Sequence, residues 1–350
     1  MILPQTFGMV LLLLILGMVC LGSWASAFKI AGKFRFELFY IDFAVGAMIL
    51  ALIYAFTVGN SGYDGFSIMD DLSHSGKRQW FYGLLAGVIF NFGNMLLMSS
   101  VSVSGMTVAF PVAFGTALTL STIVGIIGGP LGNTTLLATG CVLLVLAIIV
   151  DAIANNMLGV LRHEVLARAG KVKSTRRPKT FKGVILAIVG GLLLGAYSPL
   201  IDSARAGEVG MGPFSLAVMF TLGLFFSTFV FSIFFINLPV EGEPAEIGDY
   251  LKATFKTHGK GMLAGAVWST GTVALWVTAV NPDLLKQHRE LGLFLSQGAP
   301  LVAALWGLLV WKEFRDGDVR VKSMAALMLI LLAVGLVMLS VAPTHMPQPT

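Results

Sequence analysis

Ten long apolar runs, separated by short polar or charged stretches, set the pattern of this chain. They fall at 5–27, 38–59, 79–101, 105–128, 133–154, 182–204, 213–237, 260–281, 290–311 and 321–342. Each is long enough to cross about 30 Å of hydrocarbon as a helix. Inside lipid every backbone group needs an internal partner, so a spanning run must be helical or part of a closed barrel. The runs are continuously apolar and lack the alternation of a membrane barrel. The pattern predicts an all-α polytopic membrane protein with ten transmembrane helices. Ala25-Ser26-Ala27 resembles a signal-peptide cleavage site, but no Lys or Arg precedes the first run. That run is read as a retained helix.

Composition agrees: 56% of the 350 residues are hydrophobic and 12% charged. Soluble domains carry about 25% charge. Too little charge remains for a solvated surface, which excludes a soluble enzyme, a nucleic-acid binder and a disordered chain. The net charge of +5 is accounted for by topology. With the N-terminus outside, 18 of the 23 basic residues fall on one side. They are Lys29, Lys33 and Arg35, eight residues from Arg162 to Lys182, then Lys252, Lys256, Lys260, Lys312, Arg315, Arg320 and Lys322. Basic residues accumulate in cytoplasmic loops. Both termini are therefore expected outside and the 155–181 loop in the cytoplasm. Cys20 and Cys141 lie in apolar runs without metal-ligand spacing and read as small core residues.

The two halves of the chain resemble each other. Ile15–Trp24 aligns with Ile188–Tyr197 at an offset of 173, which pairs Trp24 with Tyr197 and Lys29 with Asp202. Gly83, Gly87 and Gly93 align with Gly261, Gly265 and Gly271 at an offset of 178. Pro111 pairs with Pro300 if 282–290 is an insertion. The predicted organisation is a first five-helix repeat at 1–160, a basic connector at 161–181 and a second repeat at 182–350. Five spans per copy force the second copy to insert upside down, the arrangement that builds secondary transporters around a midplane site.

Ten helices in a 5 + 5 inverted repeat resemble the drug/metabolite transporter superfamily. Gly22-Ser23-Trp24 before a short basic loop is similar to the branch of rhamnose and glucose uptake proteins and ureide permeases. The ninth run, from Pro300 to Trp311-Lys312-Glu313, is similar to the superfamily helix that ends in glutamate. The resemblance implies a permease of the inner or plasma membrane. Two departures stand out. Val124 occupies the first-repeat position that matches Glu313, and Gly170-Lys171-Val172-Lys173-Ser174 fails the phosphate-loop pattern. No cofactor is expected.

Charge at membrane depth is costly, and little is present. Asp42, Asp151 and Asp202 fall in end turns of their runs, where headgroups hydrate them. Asp202, after Tyr197-Ser198-Pro199, is the first candidate for proton coupling, and Asp42 is the second. All five histidines read as loop or tail residues, against a metalloprotease. Buried amides need partners, so Asn91, Asn94 and Gln297 are expected to face the bundle interior, binding solute or joining helices. Trp24, Tyr197 and Trp268 offer stacking walls for a sugar face or flat heterocycle. The expected function is proton-coupled transport of a small neutral polar solute, with export of lipophilic or amphipathic compounds as the alternative. The expected partners are solute, proton and bilayer, without nucleic acid and without metal. A homodimer is left open.

Overall fold

A computed structural model describes residues 1–32, 34–62, 65–129, 131–170, 181–240 and 242–345. Helices make up 82% of the structure, and no strand occurs among the described residues. They are α1 (Phe7–Ser23), α2 (Ser26–Ala31), α3 (Phe36–Phe56), α4 (Ile68–His74), α5 (Lys77–Ser104), α6 (Met106–Gly128) and α7 (Thr134–Arg168). The second half holds α8 (Phe181–Ala196), α9 (Ser198–Arg205), α10 (Pro213–Asn237), α11 (Ile247–Lys252), α12 (Phe255–Thr278), α13 (Arg289–Gln297), α14 (Ala299–Leu305) and α15 (Val319–Val341). Among the described residues, nine helical segments are long and apolar enough to cross a membrane. A tenth is bent by 46° between Gln297 and Ala299. Pro300 sits in the first turn after that bend, where its missing N–H costs least. The protein is an all-α polytopic membrane protein.

The structure corrects three sequence expectations. The fifth run, expected at 133–154, continues as helix to Arg168. The 161–181 connector therefore begins helical; its residues 171–180, which include most of the rejected phosphate-loop segment, lie outside the described residues. Lys33 does too. The histidines are not confined to loops: His163 lies within α7, His74 ends α4 and His258 lies in the first turn of α12. Among the described residues no group of three metal-binding side chains forms.

Two compact units form, one from Met1–Met95 and Ala196–Ala299, the other from Leu96–Gly195 and Pro300–Thr350. Each takes segments from both halves of the sequence. In the first unit α3 crosses α12 where Gly46 lies against the Met262 carbonyl and Gly265 against the Phe43 carbonyl. There α10 crosses α5 in the same manner, with Gly223 against the Leu84 carbonyl and Gly87 against the Phe220 carbonyl. An offset of 177 carries Phe43 and Gly46 onto Phe220 and Gly223, and 178 carries Leu84 and Gly87 onto Met262 and Gly265. Each crossing thus becomes the other when the halves are exchanged.

The second unit has its own self-related crossing, of α7 with α15. A Cβ on Gly140 would lie 3.2 Å from the Gly335 carbonyl oxygen, and one on Gly335 would lie 3.2 Å from the Gly140 carbonyl oxygen. Gly140 also faces Leu339 and Gly335 faces Leu144, and one offset of 195 exchanges these contacts. Within each unit the close glycine contacts are thus reciprocal under a near-constant offset in sequence.

These crossings generate a stability prediction. Any Cβ at Gly87 or Gly265 overlaps a neighbouring carbonyl, so Gly87→Ala and Gly265→Ala should each cost about 1–3 kcal/mol, the range for overpacking. A methyl group on Gly259, also in α12, would meet nothing within 4 Å, so Gly259→Ala should be near neutral. Thermal melts of the purified variants in detergent would measure the contrast.

Candidate functional site

The repeat brings aromatic rings to the middle of the first unit. Trp24 sits at the interruption between α1 and α2, and Tyr197 at the matching interruption between α8 and α9. Trp24 packs on Phe43 with ring centroids 4.8 Å apart, and Tyr197 on Phe220 at 5.9 Å. Phe43 meets Trp268 at 5.7 Å, as Phe220 meets Phe90 at 5.2 Å. Phe90 and Trp268, themselves a matched pair, meet at 5.0 Å. The six rings are three repeat-related pairs: Trp24 with Tyr197, Phe43 with Phe220, and Phe90 with Trp268. Ring pairs in such tilted or edge contacts contribute about 0.5–1.5 kcal/mol each beyond area burial. Trp24, Phe43, Phe90, Phe220 and Trp268 are buried, and Tyr197 is half-buried.

Polar groups around the rings do not share this symmetry. Asn94 donates to the Tyr40 hydroxyl at 2.8 Å, and both residues are buried. The Tyr40 ring packs on Phe43 at 4.8 Å, which places the amide–phenol pair against the cluster. In the second half the positions matching Asn91 and Asn94 are Ser269 and Thr272. Thr272 returns its hydroxyl to the Trp268 carbonyl of its own helix. The Asn94–Tyr40 pair thus stands against one side of a cluster whose rings are paired.

Of the residues singled out in the sequence, Trp24, Asn94, Tyr197 and Trp268 come together here. Asn91 is buried as expected, but its amide donates to α10, with the Leu224 carbonyl at 3.1 Å, Ser227 Oγ at 2.8 Å and Thr228 Oγ1 at 3.1 Å as acceptors. Two N–H groups share three acceptors, so Asn91 acts as a clamp between α5 and α10. Gln297 lies at the bend before Gly298, which packs on Met18 of α1. Its Oε1 is buried and accepts no hydrogen bond among the described residues.

The aspartates divide. Asp42 is 3% exposed, and the headgroup hydration expected for it is replaced by protein donors. The Tyr250 hydroxyl donates to it at 2.6 Å, and His258 Nδ1 lies 2.8 Å from its other oxygen. Tyr250 comes from α11, outside the spans. Burial, followed by the bond to Asp42 and its charge, pushes its phenol above the ordinary tyrosine range. Tyr250 therefore stays protonated and keeps donating. Sequence reading missed His258 and Tyr250, because the partners of Asp42 lie more than 200 positions away. Asp202 is exposed on α9, within electrostatic reach of Arg205. Asp151, expected to be hydrated in an end turn, is fully buried.

A fourth carboxylate, Asp71 on α4, ties that connecting helix to the start of α10. It accepts from the Gly212 N–H at 3.0 Å and from the Ser215 hydroxyl. Gly212 is the N-cap of α10, so the carboxylate also faces the positive end of that helix. Burial still outweighs these donors and raises the Asp71 carboxyl above the ordinary aspartate range.

No protein-family model and no curated protein matches the sequence. A solved structure described only as "Crystal structure of protein" aligns over 93% of this chain and 95% of its own, with 16% sequence identity and a TM-score of 0.47.

The Asp71 shift sets a pH test. An acid whose folded-state pKa is raised takes up its proton in the native state before it does so unfolded, so its contribution grows as pH falls through the folded value towards about 3.9. From pH 7 to pH 5 the melting temperature of the native protein should therefore rise relative to Asp71→Asn. Melts of both proteins across that interval measure it.

Proposed function

We propose that this protein is a secondary transporter, not an enzyme, that moves a small uncharged polar solute across the inner or plasma membrane by alternating access, driven by protons. The solute class is a sugar or a ureide or nucleobase-like heterocycle. The observation that carries this reading is the repeat-matched ring cluster with the Asn94–Tyr40 pair against it. Faces of sugars and flat heterocycles stack on such rings, and amide and phenol groups match their polar edges. The Gly22-Ser23-Trp24 segment and the ninth span through Glu313, which resemble the drug/metabolite transporter superfamily, support the same class. For coupling, Asp42 with His258 and Tyr250 supplies a buried carboxylate whose partners include a second titratable ring. The excess of basic residues at 162–182 and in the loops on its side supports a cytoplasmic connector with both termini outside.

A second reading, export of lipophilic or amphipathic compounds, draws on a different feature of the first unit. A cavity of about 390 Å³ there is lined by Leu12, Leu13, Leu16, Val273 and Val277, with Tyr54 and Thr270 as its polar pair. Those two hydroxyls bond each other at 3.1 Å, which leaves the walls apolar.

Uptake and counterflow in proteoliposomes, run with neutral sugars, nucleobases, ureides and lipophilic cations, separate the readings. The expected result is accumulation of a neutral polar solute when the outside is acidified, and its loss in Asp42→Asn. Trp268→Ala should raise the apparent KM about tenfold or more, since one stacking contact is worth about 1–3 kcal/mol. Transport confined to lipophilic compounds would establish the second reading instead.

A further inference from the structure

In the second unit, Asp151 is 0% exposed, and neither of its carboxylate oxygens has a hydrogen-bond partner among the described residues. It continues the buried stripe of α7 formed by Leu137, Gly140, Leu144, Ala147, Ala154 and Leu158, which packs against α15 and α6. One turn further on, Asn155 reaches Ser104 Oγ at 3.5 Å, at the junction of α5 with α6. Asp151 lies eleven residues past the Gly140–Gly335 crossing, about 16 Å along the helix. Protein seals it from water.

Among the described residues, the charges around it offer no compensation. Within electrostatic reach stands Glu313, another carboxylate. Glu313 keeps its own negative charge satisfied: it accepts the Met106 and Thr107 backbone N–H groups at 2.9 and 2.8 Å and the Thr107 hydroxyl at 2.7 Å, capping the start of α6. Of the packed elements, α6 contains no charged residue. On α15 and the turn before it, Lys312, Arg315, Arg320 and Lys322 are exposed, as are Asp316 and Asp318. On α7 itself, Arg162 lies 3.4 Å from Asp316 and donates to the Glu313 carbonyl; His163, Glu164 and Arg168 follow beyond it. Lys182 stands half-buried on α8. A bare carboxylate in such a place carries an uncompensated desolvation cost.

We propose that Asp151 is a proton-binding site, separate from Asp42, that holds its proton while this part of the second unit is closed and gives it to water when the seal opens. The neutral acid removes both the desolvation cost and the repulsion from Glu313. Hydration on opening restores the ionised form, so proton release and opening are one equilibrium. The site itself needs no solute. Its use in driving transport rests on the transporter reading above.

Infrared difference spectroscopy of the purified protein tests the site without any solute. At neutral pH the native protein should show a protonated-carboxyl carbonyl band that Asp151→Asn abolishes and Asp42→Asn and Asp202→Asn retain. The isosteric Asn mimics the neutral acid, so the variant should fold. An unchanged band in Asp151→Asn, or no such band in the native protein at neutral pH, would overturn the proposal. In proteoliposomes, Asp151→Asn should lose acceleration by a pH gradient while solute counterflow persists, and Asp151→Glu should regain part of it. Intact gradient drive in Asp151→Asn would remove the coupling role. Absence of counterflow in the native protein would instead count against the transporter reading and leave the infrared result standing.

Discussion

Lipid gives helices no hydrophobic reason to associate, so their contact depends on how closely backbones approach. In this protein the approach is set by glycines that touch carbonyl groups of the opposing helix. Gly46 and Gly265 do so between α3 and α12, Gly87 and Gly223 between α5 and α10, and Gly140 and Gly335 between α7 and α15. Every other feature of the first unit's centre depends on these crossings. At the spacing they impose, Phe43 and Phe220, whose carbonyls receive the glycines, also bring their rings against Trp268 and Phe90. One residue in each half thus serves both backbone contact and ring cluster.

Symmetry of packing and asymmetry of chemistry divide the work. The rings are paired across the repeat, while polar groups have diverged: Asn94 faces Thr272 across the repeat, and Asp42 faces Met219. A two-fold scaffold has two equivalent states if its halves are equivalent. Polar groups present in one half alone make the two halves chemically different. Asp42 is bound by Tyr250 and His258 from the second half of the chain, so a charge on one repeat is held by donors from the other.

Much of this was legible in the sequence because membrane spans are written as continuous apolar runs. Among the described residues, nine of them became single segments and the tenth a bent one. The matches at Gly83–Gly87 and Gly261–Gly265, and of Trp24 with Tyr197, pointed to the elements that cross and to the rings that meet. Individual roles were less legible. Asn91 and Asn94 look alike three residues apart, yet one clamps α10 and the other holds Tyr40; only the helix each faces separates them. Asp151 looked interfacial because its run ends near 154, but α7 continues for another fourteen residues and neighbouring helices cover the carboxylate. His258 looked like a loop residue because α12 begins five residues before the apolar run does. Hydropathy marks where lipid begins, not where a helix begins or what a neighbour covers.

The central claim is that two related halves lie in the membrane in opposite orientations. Lys29 and Asp202 occupy matched positions at the ends of the first and sixth spans. In a background with Cys20 and Cys141 replaced by serine, Lys29→Cys and Asp202→Cys each provide one thiol for a membrane-impermeant maleimide. The account predicts labelling of Asp202→Cys in intact cells and of Lys29→Cys only after permeabilisation. Labelling of both from the same side would contradict it.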